Sequence, residues 1–385
     1  MGRTQGPRGF RVYTANVGLK DGHDDLAVLV SEVPATVSAV FTRSRFAGPS
    51  VALSREAARD HSARGVVVLA RNANVATGRE GAEHAAEVRR RAAATIGIGE
   101  DELLIASTGV IGERYPMDRV REGLERMPWP FPGADFAAAA RAIMTTDTRP
   151  KLVTATCGEA TIVGIAKGVG MIEPNMATLL TFFCTDAAAG GAELDAAFRR
   201  VIARTFNAVS IDTDTSTSDT AAIFANGLAG GVDPDRFERA LHGAALHLVR
   251  EIARDGEGAG KLLTVRVSGA RDDAQAKRVG KTVVNSPLVK TMVHGGDPNW
   301  GRVAMAVGKC EDDLDISPQR VRIHFDETEA YPAEADAAAL DRIARHLAGD
   351  DVRIHVDLGI GAGEFTVYGC DLTAGYVRVN ASYRS

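Results

Sequence analysis

One stretch in the middle of the sequence, residues 167–180, carries the side chains with the clearest chemical potential. It holds a lysine, two nearby glycines, a turn at Pro174 and Asn175, and then Ala177 and Thr178 just before an apolar run. A rigid turn before a strand exposes the peptide bond between Ala177 and Thr178. The small Ala177 side chain leaves the Ala177 carbonyl unshielded. The Thr178 hydroxyl can attack that carbonyl, and hydrolysis of the ester leaves a threonine with a free α-amine, a nucleophile beside its own base. Without these neighbours, Thr178 would be only a β-branched residue at the start of a strand.

A second candidate is the polar sequence Ser107-Thr108-Gly109, which follows a short apolar strand at residues 103–106. It can be a simple polar turn. Alternatively, the Gly109 amide and the Thr108 hydroxyl can donate hydrogen bonds to an oxyanion that develops during attack on a carbonyl.

Two tracts combine hydroxyl and carboxylate side chains, at residues 145–148 and 212–220. Such tracts are usually capped turns and solvated loops, although a buried tract forms a hydrogen-bonded network that holds a site rigid. Glu257 stands between two glycines after a long helical pattern. It can pair with the ammonium group of a substrate, or it can be the tip of a flexible loop.

Several common motifs are excluded. Residues 255–262 resemble a phosphate-binding loop but lack its first glycine, and Leu262 stands where serine or threonine must follow the lysine. The glycines at 168 and 170 have no third glycine at the dinucleotide-binding spacing. The histidines are scattered, so no protein-bound metal is predicted, and no serine-hydrolase elbow is present.

Composition narrows the class of protein. The chain has 385 residues, 45% of them hydrophobic, and a formal net charge of -5, so no basic surface indicates a nucleic-acid partner. No segment has the ~18–20 apolar residues that a membrane span requires. The N-terminus lacks an apolar signal region, and the four cysteines are far apart, which favours reduced thiols in the cytoplasm.

Apolar patterns alternate between strands and helices along the chain, which predicts an α/β or layered α+β protein. The clearest helix covers residues 234–253, where apolar side chains recur every three or four positions. Residues 365–379 alternate in polarity around Thr373, Ala374 and Gly375, which predicts a terminal hairpin.

Residues 167–180 also closely resemble the signature of ornithine acetyltransferases, or glutamate N-acetyltransferases, which are self-cleaving enzymes of the arginine-biosynthetic acetyl cycle. The resemblance covers essentially the whole chain and is specific because further motifs follow in the family's order. These motifs are residues 71–74, 107–112, 144–148, 214–217, 255–259, 297–302 and 380–385.

The resemblance implies a cut between Ala177 and Thr178. An α chain of residues 1–177 and a β chain of residues 178–385 would stay together, usually as α2β2. The implied fold is that of the self-processing aminopeptidases, with stacked sheets between helical layers. Thr178 would be the nucleophile, with Thr108 and Gly109 as the oxyanion hole. The positions matching the family's substrate-binding residues are Thr145, Lys167, Glu257, Asn380 and Ser385.

The implied reaction is ping-pong transfer of acetyl from N-acetylornithine to glutamate through an acetyl ester on Thr178, without a cofactor. Its α-amine would be the base, Glu257 would pair with an amino-acid ammonium, and Lys167 would meet the carboxylate or support the oxyanion. Two other interpretations remain. One is a self-processing aminopeptidase or amidohydrolase that uses the same threonine, and the other is a non-catalytic amino-acid-binding protein.

The sequence also departs from the family's common pattern at several positions. These are Val169, Glu173, Leu180, Ile211, Thr213 and Ser218. The variants resemble a subgroup found in antibiotic gene clusters of the clavulanate type. Two questions stay open: whether the enzyme serves arginine biosynthesis or a secondary pathway, and whether acetyl-CoA is also an acetyl donor. Transacetylation alone is favoured.

Overall fold

A computed structural model describes residues 6–19, 22–173, 179–333 and 335–381. The chain divides into two compact units. The first contains the described residues within 6–168, 179–207 and 215–248, and the second those within 169–173, 208–214 and 249–381. Each unit therefore draws on residues from both sides of the predicted cut.

The first unit is built from two sheets and the helices that cover them. Its strands are β1 (Phe10–Ala15), β2 (Leu26–Ser31), β3 (Thr36–Phe41), β4 (Gly65–Leu69), β5 (Leu103–Ser107), β6 (Lys151–Cys157), β7 (Ala160–Lys167), β8 (Leu180–Ala188) and β9 (Thr220–Gly231). Its helices are α1 (Pro49–Ala57), α2 (Gly78–Ile96), α3 (Met117–Glu125), α4 (Phe136–Ala142), α5 (Gly191–Arg204) and α6 (Pro234–Arg254), along which the chain passes into the second unit.

One sheet has the strand order β1-β2-β4-β5. β4 and β5 are apolar runs buried along their whole length, which is typical of strands covered on both faces. These two strands are parallel, with Leu69 opposite Ser107 at their carboxyl ends. The chain segments that follow Leu69 and Ser107 therefore emerge side by side at one edge of the sheet.

The other sheet has the order β3-β9-β8-β7-β6. The antiparallel β7–β8 pair places Lys167 opposite Leu180, and the parallel β8–β9 pair places Leu180 opposite Thr220. The end of β7 and the starts of β8 and β9 therefore lie at the same edge. Within β8, Phe183 packs edge-on against Phe198 of α5, with the ring centroids 6.2 Å apart.

The two sheets of the first unit share one apolar core. Leu29 and Val66 of one sheet and Phe182 and Phe224 of the other belong to it, together with side chains from α1 and α4. A second core joins the opposite face of the first sheet to α2 and α3. These two cores show that the sheets of the first unit are stacked and covered by helices. The α/β layered class predicted from the sequence is therefore confirmed.

The second unit has a mixed sheet in the order β12-β11-β13-β10-β14. Apolar side chains on one face of this sheet pack against α7, α8 and α9. Together these side chains form the core of the second unit. No helix in the described ranges is both long and apolar enough to span a membrane. The elements are β10 (Leu262–Ala270), α7 (Asp273–Val284), α8 (Pro287–Gly295), α9 (Gly301–Gly308), β11 (Arg322–Phe325), β12 (Thr328–Tyr331), α10 (Ala337–Leu347), β13 (Asp351–Asp357), β14 (Gly363–Cys370) and α11 (Ala374–Ala381).

The helix predicted over residues 234–253 is confirmed as α6, but the terminal hairpin over residues 365–379 is wrong. β14 ends at Cys370, and the residues that follow form α11 instead of a second strand. The Thr373 hydroxyl accepts a hydrogen bond from the Gly375 amide (2.8 Å), a local bond that starts the helical turn. The alternating valines of this segment favour a strand only weakly, and such preferences yield to local hydrogen bonding and packing.

Candidate functional site

The loop after β5 holds Thr108 and Gly109 in a constrained conformation. Thr108 is buried, and its amide donates to the Leu69 carbonyl over 3.0 Å. Gly109 has φ +133, and a Cβ there would lie 2.1 Å from the Arg71 carbonyl carbon. Only glycine fits this approach, because other residues avoid that conformation and would clash with the neighbouring loop.

The motif at residues 71–74 forms that neighbouring loop, since β4 runs parallel to β5. Val110 donates its amide to the Arg71 carbonyl (3.1 Å), and Ala73 donates to the Val110 carbonyl (3.0 Å). The Asn72 side chain accepts the Asn74 amide over 2.7 Å. Two motifs that are far apart in sequence are therefore joined by backbone hydrogen bonds next to Thr108 and Gly109.

Lys167 ends β7 and is buried. Its ammonium Nζ donates to the Thr108 Oγ1 atom over 3.1 Å. An ammonium group has no lone pair, so the Thr108 oxygen is the acceptor and its own hydroxyl proton is directed elsewhere. The structure thus brings together Thr108, Gly109 and Lys167 in the first unit.

Thr145, predicted to bind substrate, is also buried in the first unit. Its amide donates to Asp147 Oδ2 (3.1 Å), while Asp147 Oδ1 accepts from Lys151 Nζ (2.7 Å) and the Gly168 amide (2.8 Å). The interpretation of this tract as a solvated loop is therefore wrong for Thr145 and Asp147. Burial alone would raise the pKa of the Asp147 carboxyl, but the nearby ammonium groups and the amide hold it below its usual value.

Asp219 lies just before β9, on the same sheet edge as Lys167. The next residue, Thr220, donates its amide to the Leu179 carbonyl over 3.0 Å. Burial raises the pKa of Asp219 well above its usual value, against the opposing effects of nearby hydroxyls and the Lys167 ammonium. Its Oδ2 atom has no hydrogen-bond partner among the residues that are described.

Ala177, Thr178 and Ser385 lie outside the described residues. The predicted cleavage bond, the nucleophile and one predicted substrate contact therefore stay predictions.

The remaining predicted residues, Glu257 and Asn380, meet in the second unit. The Asn380 side-chain amide donates to Glu257 Oε2 over 2.9 Å, and the Glu257 backbone amide donates to the Val169 carbonyl over 2.8 Å. A Cβ at Gly170 would lie 2.4 Å from Glu257 Oε2, so glycine there leaves the space that the carboxylate occupies. Glu257 is thus anchored through its backbone and its side chain, unlike the flexible loop tip considered from sequence.

Asp212 adds a second carboxylate to the same unit. Its oxygens accept the amides of Met171 (2.7 Å) and Ile172 (2.8 Å), and its Oδ2 accepts the Tyr376 hydroxyl (3.3 Å). Burial raises the pKa of Tyr376, and the neighbouring Asp212 and Glu257 carboxylates raise it further. This part of the second unit is therefore acidic and suits a cationic group of a ligand.

Glu173, the last residue described before the predicted cut, is also tied into the second unit. Its Oε1 atom lies 3.2 Å from Lys281 Nζ, and its Oε2 atom accepts the Asn285 side-chain amide over 3.1 Å. Burial lowers the pKa of Lys281 to about 8, although the Glu173 carboxylate opposes this shift. The segment 169–173 is therefore fixed at both ends.

Sequence reasoning missed the individual roles of three buried side chains, Asp147, Lys151 and Asp219. The signal for the first two was the four-residue spacing of opposite charges, with the lysine placed at the start of an apolar strand. Asp219 gave no comparable signal, because the rise in its pKa follows from burial. In the residues that the structure covers, no three metal-ligating side chains converge.

Comparisons with known proteins agree with the resemblance in the sequence. The family model described as the ArgJ family matches residues 11–385. The glutamate N-acetyltransferase Oat2 of Streptomyces clavuligerus is 68% identical over 383 residues, which cover 98% of each chain. The arginine biosynthesis bifunctional protein ArgJ of Rhodococcoides fascians is 54% identical over 380 residues, covering 98% of this chain and 94% of that protein.

Among solved structures, an arginine biosynthesis bifunctional protein argJ from Bacillus halodurans is 37% identical, with a TM-score of 0.48 over 51% of this chain and 96% of that one. The family match and the identities of the curated relatives extend over nearly the full length of the sequence. The chain therefore belongs to the ArgJ family.

Proposed function

We propose that this enzyme cuts itself between Ala177 and Thr178 and then moves acetyl from N2-acetylornithine to glutamate through an acetyl ester on Thr178. Membership of the ArgJ family supports the reaction class. The observation that carries the proposal is the contact of Lys167 Nζ with Thr108 Oγ1 (3.1 Å), beside Gly109. It leaves the Thr108 proton available to an oxyanion.

Self-cleavage begins with attack of the Thr178 hydroxyl on the Ala177 carbonyl, which transfers the acyl group from nitrogen to oxygen. Water then hydrolyses the ester and releases residues 1–177 with a carboxylate end. Residues 178–385 keep Thr178 as their first residue, with a free α-amine whose usual pKa is ~7.7–8.0. That amine can act as the base for its own hydroxyl near neutral pH.

Acetyl transfer then repeats the same attack on a different carbonyl. The Thr178 oxygen attacks the acetyl group of N-acetylornithine, ornithine leaves with the proton on its amine, and the acetyl ester remains. The glutamate amine attacks this ester and departs as N-acetylglutamate, which restores the hydroxyl. In both steps the Thr108 hydroxyl and the Gly109 amide stabilise the oxyanion, and the Lys167 charge supports Thr108.

Substrate recognition is assigned to the remaining predicted residues. We propose that Glu257, aligned by Asn380, pairs with the α-ammonium of the amino acid that leaves or enters, and that Thr145 and Ser385 also bind substrate. The cut chains are proposed to remain together as α2β2, which native mass spectrometry of the purified enzyme can test.

Replacing Glu257 with alanine should leave self-cleavage intact but raise the KM for N-acetylornithine about 10-fold or more, since a charge-assisted contact is lost. Steady-state kinetics at varied donor concentration measure this effect. Glu364→Ala is the matched control, because Glu364 pairs on the surface with Arg266 (2.7 Å) and should leave KM unchanged. An unchanged KM in Glu257→Ala would show that its role is misassigned.

Two other functions remain distinguishable. A self-processing aminopeptidase or amidohydrolase would pass the acyl group to water, so glutamate would not accelerate loss of acetyl from N-acetylornithine. A non-catalytic amino-acid-binding protein would remain one uncut chain on a denaturing gel. The likeness of the chain to glutamate N-acetyltransferase Oat2 favours transfer to glutamate.

Intact mass spectrometry before and after addition of N-acetylornithine tests the whole proposal. We expect two fragments that meet between Ala177 and Thr178, and an added acetyl group on the C-terminal fragment that glutamate removes. An active enzyme with an unbroken chain, or an acetyl group on the N-terminal fragment, contradicts the proposal.

A further inference from the structure

Asp147 is a buried carboxylate at the meeting point of three segments of the first unit. Its Oδ1 atom accepts hydrogen bonds from Lys151 Nζ (2.7 Å) and the Gly168 amide (2.8 Å), and its Oδ2 atom accepts the Thr145 amide (3.1 Å). The side chains of Asp147 and Lys151 are both 0% exposed. One carboxylate therefore fixes the start of β6, the loop after α4, and the residue that follows Lys167.

Three charged side chains of the first unit, Lys151, Lys167 and Asp147, lie close to one another. The ammonium groups of Lys151 and Lys167 hold the pKa of the Asp147 carboxyl below its usual value against the effect of burial, whereas burial raises the pKa of Asp219 well above its usual value. The set of Lys151, Lys167 and Asp147 thus has two ammonium groups and one carboxylate, an excess of one positive charge. Lys167 is the member that contacts Thr108, so this remaining charge lies where the proposed reaction develops a negative one.

Lys151 has a specific part in this arrangement. It occupies Asp147 Oδ1 together with the Gly168 amide, so the carboxylate already has a close cationic partner. Lys167 directly precedes Gly168. It would therefore be the alternative cationic partner of Asp147 if Lys151 were absent. Pairing of Lys151 with Asp147 therefore leaves the Lys167 ammonium directed to Thr108.

We propose that Asp147 is a positioning residue for acetyl transfer: with Lys151 as its counter-ion, it holds the Gly168 backbone so that Lys167 stays on Thr108. This inference rests on the proposed function, which assigns Thr108 and Lys167 to the oxyanion. Asp147 itself does not contact the reacting groups in this scheme, and it acts through the position and charge of Lys167.

Two single variants change the charge of the set in opposite directions, and the double variant restores it. Asp147→Asn removes the counter-charge, Lys151→Met leaves the carboxylate to Lys167, and the double variant restores the original net charge with a neutral pair. The rate at which saturating N-acetylornithine acetylates the C-terminal fragment is measured by intact mass spectrometry, together with the half-saturating donor concentration and Tm.

We expect each single variant to acetylate about 10- to 100-fold more slowly, since small displacements of catalytic groups cost rates of this order. The half-saturating concentration should change by less than about threefold, because the effect is on the transition state rather than on binding. The double variant should recover to within about threefold of the wild-type rate. If the two residues had a purely structural role, their variants would change stability without slowing acetylation at a nearly constant half-saturating concentration.

Asp186→Asn is the matched control. Asp186 is also a buried carboxylate in this sheet, and it accepts the amides of Thr161 (2.7 Å) and Arg8 (3.0 Å) near the other end of β8. Its replacement should lower Tm but leave the acetylation rate unchanged. Equal slowing in Asp186→Asn and Asp147→Asn overturns the proposal.

A wild-type acetylation rate in Asp147→Asn also overturns it. If Asp147→Asn does not fold, the acetylation rates of Lys151→Met and of the double variant are compared instead. A double variant that is no faster than Lys151→Met overturns the proposal. Failure of the proposed function is separate, because the wild-type enzyme would then carry no acetyl group on its C-terminal fragment.

Discussion

Replacing Thr178 with alanine is expected to leave one full-length chain of 385 residues with no transferase activity. The variant lacks the hydroxyl that attacks the Ala177 carbonyl, so neither the cut nor the acetyl ester can form. Loss of an enzyme's nucleophile typically costs a factor of about 10⁴ to 10⁶ in rate. Denaturing electrophoresis and an assay of N-acetylglutamate formation measure the two effects.

Thr178→Ser is the matched control, because serine keeps a hydroxyl at the same position. We expect it to cut itself and to retain measurable transfer, although loss of the methyl group changes how the side chain is held. Cleavage of the alanine variant at its normal position would remove the basis for a threonine nucleophile.

Replacing Thr108 with valine is expected to lower kcat about 10²- to 10³-fold, the usual effect of losing one oxyanion donor. Valine keeps the branched shape of threonine but cannot accept from Lys167 or donate to the oxyanion. Lys167→Met should lower kcat by less. Steady-state kinetics of the two single variants and the double variant measure the coupling between them.

Because Lys167 is proposed to act through Thr108, the double variant should be little slower than Thr108→Val alone. Thr205→Val serves as the control, since Thr205 is also buried but donates to the Val201 carbonyl (2.6 Å) at the end of α5. It should change stability and leave kcat unchanged. Independent, additive losses in the Thr108 and Lys167 variants would contradict their assignment to one donor pair.

The parts of the fold with strong local patterns were predictable from sequence. The long helix α6 follows from its apolar repeat, and β4 follows from its run of valines between polar residues. The terminal helix α11 was not predictable, since it contains no buried side chain and its start depends on a bond from Thr373 to Gly258. Its apolar residues therefore carried no information about a core.

The candidate site was predictable in its residue types but not in its partners. The resemblance to ornithine acetyltransferases, which the ArgJ family match confirms, indicated Thr108, Lys167 and Glu257. The contact between Lys167 and Thr108 joins positions 59 residues apart and in different sheets, so only the packing of the two sheets of the first unit reveals it. The lowered pKa of Asp147 and the raised pKa of Asp219 depend on burial and on neighbouring charges, which sequence does not specify.

The strand order of the second sheet has a consequence for how the enzyme can be recovered after denaturation. β3, β6 and β7 precede the proposed cut, whereas β8 and β9 follow it, and β7 pairs with β8 while β3 pairs with β9. The sheet can therefore assemble within one molecule only while the chain is continuous. If the chain is cut as proposed, denatured enzyme must regain its sheet from two separate polypeptides, so we expect its renaturation to depend on concentration.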